Sequence, residues 1–424
     1  MSKISTDILI VGAGPAGLAA AAAASIASSK VTLVDENPRV GGQIWRAELG
    51  KTKSPDAQKF LNALANDRVQ IINSATIFDI VGSNVLAAQT LGGRIDIEYR
   101  KLILATGARE RYLPFPGWTL PGVFGAGGLQ ALVKGGLNID KQRVIVAGTG
   151  PLLLAVADYL KAKGAVVLMI AEQTSAAKIR RFARGLWRQP DKMIQAAALR
   201  GRLLGIPYKT DTWVTAVERQ EGKSLSVSEG ITRPLTVSVA SRGSTRTLNC
   251  DYLACGFHLV PNLELPSLLG CGIDNGVVTV DKHQETSVAN IYCAGEPTGI
   301  AGVESSLIEG EIAGLAASGQ IEKARTLFKR RDAAKRFGEA LNRTFALRPE
   351  LKQLADGTTF VCRCEDVTLG SLKNFTRFRE AKLQTRCGMG PCQGRVCGPA
   401  VEFLFGWEQP SVRPPIFPVK MEHL

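Results

Sequence analysis

The first 249 of the 424 residues contain no cysteine. A reactive dithiol beside either of the two glycine loops found in that stretch is therefore excluded, because such chemistry needs two thiols a few residues apart. Histidine is nearly as scarce, with His258, His283 and His423 the whole complement. No Ser-His-Asp or histidine–metal arrangement can be assembled from them. Only His258, in CGFHLVPN, lies near a site motif, and a packing role there outweighs acid–base work. No apolar run approaches the roughly 20 residues of a membrane span. Ala19–Ala24 comes nearest, but it follows a glycine turn and reads as a packed helix. Met1–Thr6 is polar and Asp7 opens a strand, so no signal peptide is expected and the chain reads as cytoplasmic. In a reducing compartment, clustered cysteines favour metal over disulfides.

Charge is lopsided: 52 Lys and Arg against 38 Asp and Glu, a net +14. One basic region holds Arg180, Arg181, Arg184, Arg188, Lys192, Arg200 and Arg202; another runs from Lys323 to Lys352. Neither interleaves aromatics as a single-strand binding surface does, so no nucleic-acid partner is expected. Solvated or partner-facing helices fit better, with at most peripheral contact to the inner face of a membrane.

Asp7–Val11 is a short apolar run with the character of a buried parallel strand. Gly12-Ala13-Gly14-Pro15-Ala16-Gly17 follows, then an alanine-rich helix, then the strand Val31–Val34. Asp35 ends that strand 23 residues after the first glycine. Strand, glycine turn, helix, strand and acid make the dinucleotide fingerprint in its proper context. Gly12 permits the tight turn, Gly14 lets a pyrophosphate approach, and Gly17 lets helix pack on strand. Asp35 is expected to bond ribose hydroxyls, with Glu36 its neighbour and rival.

A second copy runs Arg143–Ala147, then Gly148-Thr149-Gly150-Pro151, with leucine at the third glycine position and Glu172 as the acid. Occupancy by NAD(P), by ATP or by nothing stays open for this copy. Gly41-Gly42-Gln43, Ala105-Thr106-Gly107 and Gly295-Glu296 are further glycine turns at strand ends. These pieces place the second nucleotide fold inside an interrupted first one.

Five of the nine cysteines fall between Val361 and Pro399. Cys362, Cys364, Cys387, Cys392 and Cys397 form a metal-ligand pattern that suits a 2Fe–2S centre, with four-thiolate zinc the plainer alternative. Arg363, Arg386 and Arg395 are interleaved with them and would offset the charge of an anionic cluster. Cys250, Cys255, Cys271 and Cys293 sit in or beside apolar strands and read as small buried hydrophobes.

The framework resembles the two-dinucleotide-domain flavoproteins of disulfide-reductase-like fold. Over nearly the whole chain, GGQIW, ATGARER, AGTGPLLLAVA, FALRPEL, CRCEDV, GMGPCQGRVCGP and the RPP tail resemble one group more specifically. It comprises the A subunits of opine oxidases, the B subunits of hydrogen cyanide synthases and the α subunits of proline or hydroxyproline dehydrogenase complexes. The resemblance implies an α/β chain with two Rossmann domains, one interrupted by the other, and a small carboxy-terminal iron–sulfur domain. The expected division is 1–115 and 256–348 for the FAD domain with its linking helix, 116–255 for the second nucleotide domain, and 349–424 for the cysteine domain with its proline-rich tail.

FAD is then expected on Gly12, Gly14, Pro15, Ala16, Gly17, Asp35, Glu36, Gly42, Gln43, Ala105, Thr106, Gly107, Gly295 and Glu296. Glu296 departs from the family's usual Asp. The second site would use Gly148, Gly150, Pro151 and Glu172. Cluster ligands would be Cys362, Cys364, Cys392 and Cys397, with Cys387 an adjacent thiol. The last gap is longer than in the ferredoxin-like module this segment resembles.

The implied activity is that of an FAD and 2Fe–2S electron-transfer subunit of a dye-linked dehydrogenase. It would act on a D-amino acid, hydroxyproline, proline or an opine, oxidised in a partner FAD subunit. Further expectations are a quinone acceptor and an additional small iron–sulfur subunit. No catalytic residue is assigned. The alternatives are a stand-alone NAD(P)H-dependent reductase and a nucleotide-binding scaffold.

Overall fold

A computed structural model describes residues 2–26, 29–45, 55–65, 67–186, 190–220, 234–241, 243–409 and 411–424. Two compact units are present. The first combines Met1–Arg109, Val260–Glu339 and Ser411–Leu424; the second combines Glu110–Leu259 and Ala340–Pro410.

The first unit is built on a seven-stranded sheet. β1 (Ser2–Val11) pairs in parallel with β2 (Val31–Val34) on one side and with the strand Gly93–Leu104 on the other. Val69–Ile72 and Ile291–Cys293 extend the parallel part. An antiparallel meander, Thr76–Gly82 and Val85–Thr90, continues from Gly93–Leu104. Ile8, Leu9, Ile10 and Val11 are all buried. Such a run is apolar on both sides because parallel strands are covered on both faces.

α1 (Pro15–Ser25) is made almost wholly of alanine and glycine, and the reason is its neighbour, the helix Val303–Ala317. A Cβ at Gly310 would lie 2.1 Å from Ala16 O, and one at Gly314 would lie 2.3 Å from Ala20 O. The two helices cross nearly backbone to backbone. The carboxy-terminal tail is held against this unit's meander. Ile416 is buried and its N–H donates to Phe78 O at 2.8 Å. The Arg94 guanidinium donates to the carbonyls of His423 and Leu424 at 3.0 and 2.9 Å.

The second unit has a five-stranded parallel sheet in the order Tyr208–Lys209, Val166–Glu172, Arg143–Gly148, Tyr252–Gly256, Val123–Gly125. A three-stranded antiparallel sheet, Thr212–Arg219, Leu235–Ser241 and Ser244–Cys250, packs with it. The cysteine segment adds a short strand pair, Phe360–Cys362 with Val367–Thr368, and the helices Phe378–Thr385 and Cys397–Phe405. It has a small core of its own around Val361, Leu372, Phe378, Val401 and Trp407. The expected interruption of one nucleotide fold by another is present. Compactness groups Ala340–Pro410 with the inserted fold and Ser411–Leu424 with the outer one.

Candidate functional site

Three glycine turns meet at the start of α1. Gly12 has φ +103°, and a Cβ there would fall 2.2 Å from Ala105 O, so the loop lies directly on the Ala105-Thr106-Gly107 turn. Gly14 caps α1 in an extended conformation with no side-chain cap, and no acid occupies the first turn. An uncapped helix start of this kind favours an anion. Gly41 N donates to Ala13 O at 2.7 Å, which brings Gly42 to Gly14; a Cβ on Gly42 would lie 2.9 Å from Gly14 Cα. Gln43 follows on the exposed side. Gly295 sits against Ala16, with φ +83° and room for no side chain.

Sequence reasoning missed two residues that hold these turns. Asn262 accepts from Thr106 Oγ1 through its carbonyl at 2.9 Å, and its Nδ2 donates to Thr106 O at 2.8 Å. Glu309, 2% exposed, accepts from Gly295 N at 2.9 Å and from Thr298 Oγ1 at 2.6 Å. Burial pushes its carboxyl up, against the pull of Thr298 and the Lys335 and Arg331 charges. Val303–Ala317 carries three glutamates, Glu304, Glu309 and Glu311, and nothing local singles out the middle one.

Glu296 turns its carboxylate to Ala301 N and Gly302 N at 3.2 and 3.1 Å, at the head of that helix. Burial pushes its carboxyl up to about 7, the two amides only partly offsetting it. Asp35 is likewise engaged inside the chain. Its Oδ2 accepts from Ala13 N at 2.6 Å, and its Oδ1 accepts from Asn37 N and Asn37 Nδ2, both at 2.8 Å. It ties the glycine loop to β2, while Glu36 beside it is exposed. The open helix start and the glycine cradle fit a dinucleotide's pyrophosphate; Asp35 is placed to brace that cradle.

In the second loop, Gly148 has φ +137° and lies on Gly256, where a Cβ would meet Gly256 O at 2.0 Å. Gly150 has φ +89° and donates its N–H to Glu172 Oε2 at 2.7 Å. Glu172 is fully buried, its Oε1 accepts from Thr174 N at 2.8 Å, and burial pushes its carboxyl up. Pro151 starts the helix on the exposed side. Leu153, standing where the third glycine would be, is fully buried. Gly256 makes room for it: a Cβ there would lie 3.2 Å from Leu153 Cδ2. A glycine on the neighbouring strand thus takes up the bulk of this leucine.

The thiols gather around a cavity of about 190 Å³. Its walls include Cys362, Cys364, Cys392 and Cys397, with Arg363, Tyr112 and Trp118 among the rest. The sulfurs of Cys362, Cys387 and Cys397 lie within 4.8 Å of one another, and Cys364 meets Cys392. Cys387 therefore touches two of the four wall thiols without lining the cavity. The Cys362 thiol is pulled well down by the Cys387 and Cys397 thiols and by the amides of Gly388 and Glu365. Cys387, donating to it, is pushed up. Trp118 Nε1 donates to Phe360 O at 2.6 Å and fixes the strand that carries Cys362. Arg386 pairs with Glu365 at 2.6 Å on the exposed side. Four thiols around a cavity, with amides aimed at sulfur, fit a four-thiolate centre.

The remaining cysteines, Cys250, Cys255, Cys271 and Cys293, are buried, and burial pushes all four thiols up. His258 has φ +78°; its Nε2 meets Asn342 Oδ1 at 3.1 Å, and burial pulls its imidazole down. It is placed to shape a turn. Among the described residues no helix is long and apolar enough to cross a membrane.

The A subunit of the opine oxidase of Agrobacterium tumefaciens (strain Ach5) is 30% identical to this chain, over 99% of this chain and 91% of that one. Hydrogen cyanide synthase subunit HcnB of Pseudomonas aeruginosa is 30% identical over 92% and 90%. The crystal structure of L-proline dehydrogenase from P. horikoshii shares the fold, with a TM-score of 0.67 at 20% identity, covering 100% of this chain and 80% of that one. Residues 6–322 match the pyridine nucleotide-disulphide oxidoreductase family. The chain belongs to that family and is an oxidoreductase.

Proposed function

We propose that this chain is the FAD and 2Fe–2S electron-transfer subunit of a hetero-oligomeric dehydrogenase whose substrate is oxidised in a partner flavoprotein subunit. The observation that carries the reading is the four-thiol cavity of Cys362, Cys364, Cys392 and Cys397 on a chain whose first glycine loop is open to a pyrophosphate. The relatives are themselves named as subunits, of an opine oxidase and of a hydrogen cyanide synthase, which supports an amine or amino-acid donor. A flavin beside an iron–sulfur centre supplies one- and two-electron redox chemistry when both are bound.

The chain's own residues position and tune. Gly12, Gly14 and Gly42 keep Cβ atoms out of the phosphate path, and Asp35 braces the loop. The Gly388 and Glu365 amides stabilise the Cys362 thiolate, and Arg363 on the cavity wall offsets negative charge. Among the described residues no amino-acid clamp is recognisable beside either site, and this reading gives the donor's oxidation to the partner. A cytoplasmic location and a quinone or similar acceptor belong to the same reading.

The test is metal, flavin and turnover on the purified chain and on the complex. Iron at about two per chain is expected for a 2Fe–2S centre. Cys362→Ser, Cys364→Ser, Cys392→Ser and Cys397→Ser should each lose it, whereas Cys387→Ser should keep it. Zinc in anaerobically purified protein would sink the redox reading. Dye-linked amine oxidation should need the co-expressed partner; equal rates from the single chain would sink the division of labour.

A further inference from the structure

The second glycine loop has an occupant, and it is part of the same chain. Beyond the helix Phe328–Thr344 the backbone leaves helical geometry, and Pro349 holds Arg348 extended, with φ −77° and ψ 146°. The four residues Phe345 to Arg348 then run across the loop. Thr149 Oγ1, in the middle of Gly148-Thr149-Gly150, donates to Phe345 O at 2.9 Å. The Phe345 side chain lies against Gly150, its Cβ and Cγ both 3.9 Å from where a Cβ on that glycine would stand. Phe182 covers the other side of the ring, edge on, at 5.9 Å.

Gln173 completes the closure. It follows Glu172 as Glu36 follows Asp35, so it holds the place beside the acid at the end of the strand. It is 2% exposed. Its Nε2 donates to Ala346 O and to Thr149 Oγ1, both at 3.0 Å. Its Oε1 accepts from Arg348 N at 3.0 Å. Arg348 Nη1 donates to Gln173 O at 3.2 Å, and the guanidinium stacks 3.9 Å above the Trp213 ring. Gly150 N, the amide a phosphate would seek, is already held by Glu172. Loop amide, acid, neighbouring side chain and the space over the glycine are all engaged within the chain.

We propose that the Phe345 to Arg348 strap is the resident ligand of the second dinucleotide fold, and that this fold takes up no NAD(P) or adenine nucleotide. A nucleotide would have to break the four hydrogen bonds between loop and strap and displace a buried phenylalanine before making its first contact. The fold's binding site has become an anchor for the segment that leads into the cysteine region. A pyridine nucleotide then has no seat there, which removes the hydride donor of a stand-alone NAD(P)H reductase. This inference does not depend on which metal the thiols hold or on what the partner oxidises.

The test uses the full-length protein. Hydrogen exchange at the Arg348 amide should be slow and unchanged by NAD+, NADPH or ADP at roughly millimolar concentration. Gln173→Ala removes its acceptor and Thr149→Val removes the Phe345 bond at nearly constant volume. Either should speed exchange there by about fivefold, on the scale of one lost hydrogen bond. Equilibrium dialysis of labelled NAD+ and ADP against Gly14→Val, whose first loop is blocked, should retain no nucleotide. Faster exchange at Arg348 on adding NAD+, or one nucleotide retained per Gly14→Val chain, would overturn the proposal. Unchanged exchange in both Gln173→Ala and Thr149→Val would overturn it as well.

Discussion

In both glycine loops, the acid at the end of the second strand turns back into its own chain. Asp35 takes the N–H of Ala13, and Glu172, one methylene longer, takes the N–H of Gly150 one position further on. Each also accepts from the amide two residues ahead of it, Asn37 or Thr174. The loops part company at the next residue. Glu36 is exposed, while Gln173 is buried under the Phe345 to Arg348 segment. Both helix starts lack a side-chain cap, but one stands behind three glycines while the other has leucine for the third glycine and a strap over the second. A fingerprint read as glycines and an acid describes how such a loop is braced. Whether it binds is decided by what else reaches it.

The largest expected effect separates the loops directly. Gly14→Val should abolish flavin absorbance without unfolding the protein, since a Cβ at Gly14 has no neighbour nearer than Gly42 Cα at 4.0 Å. Thr149→Val should leave the flavin untouched. Visible spectra of the two purified variants check this, and flavin retained by Gly14→Val would break the assignment of the first loop.

Next in size is a packing difference. Gly310→Ala drives a methyl into Ala16 O and should cost about 2–4 kcal/mol of unfolding free energy. Denaturant melts measure it, and a loss within error would show that α1 is not pinned as described.

The third concerns Glu296, whose carboxyl is pushed up to about 7. The native state keeps that proton up to about pH 7, whereas the unfolded chain gives it up near pH 4.5. Its contribution is complete below about pH 4.5 and lost as pH rises through 7, on the order of 3 kcal/mol. Glu296→Gln should flatten the melting temperature across that window relative to the parent; parallel curves would refute the buried-acid account. Smallest of all, Gly256→Ala should cost about 1 kcal/mol, because its methyl meets the movable end of Leu153 at Cδ2, 3.2 Å away, and otherwise only Ala126 Cβ at 3.3 Å. A loss as large as that of Gly310→Ala would mean that the Leu153 compensation is tighter than the contacts suggest.

Much of this was legible in the sequence, for physical reasons. Buried parallel stretches such as residues 8–11 and 144–147 are apolar throughout, and glycine is forced wherever backbone meets backbone, so both folds and their nesting could be read. The crowding of five cysteines marked the segment whose thiols gather around one cavity. What sequence did not disclose depends on long-range partners. Asn262 reaches Thr106 across 156 positions. Gln173 meets Arg348 across 175. FALRPEL reads as a helix end because of its proline, and nothing local says what that end lies upon. For Asp35, spacing locates an acid but not the direction of its oxygens, which turn to Ala13 and Asn37.

The tail has a consequence for the order of synthesis. Ile416 belongs to the core formed with Ile77, Leu86 and Ile97. The first unit is thus assembled from three stretches that residues of the second unit separate along the chain. A nascent chain carries an incomplete first unit until residues beyond 411 have been made, while residues 110–259 emerge as one uninterrupted stretch. The meander of Thr76–Gly82 and Val85–Thr90 stays uncovered until residues beyond 411 have been made, and it is there that premature association between growing chains has its opening.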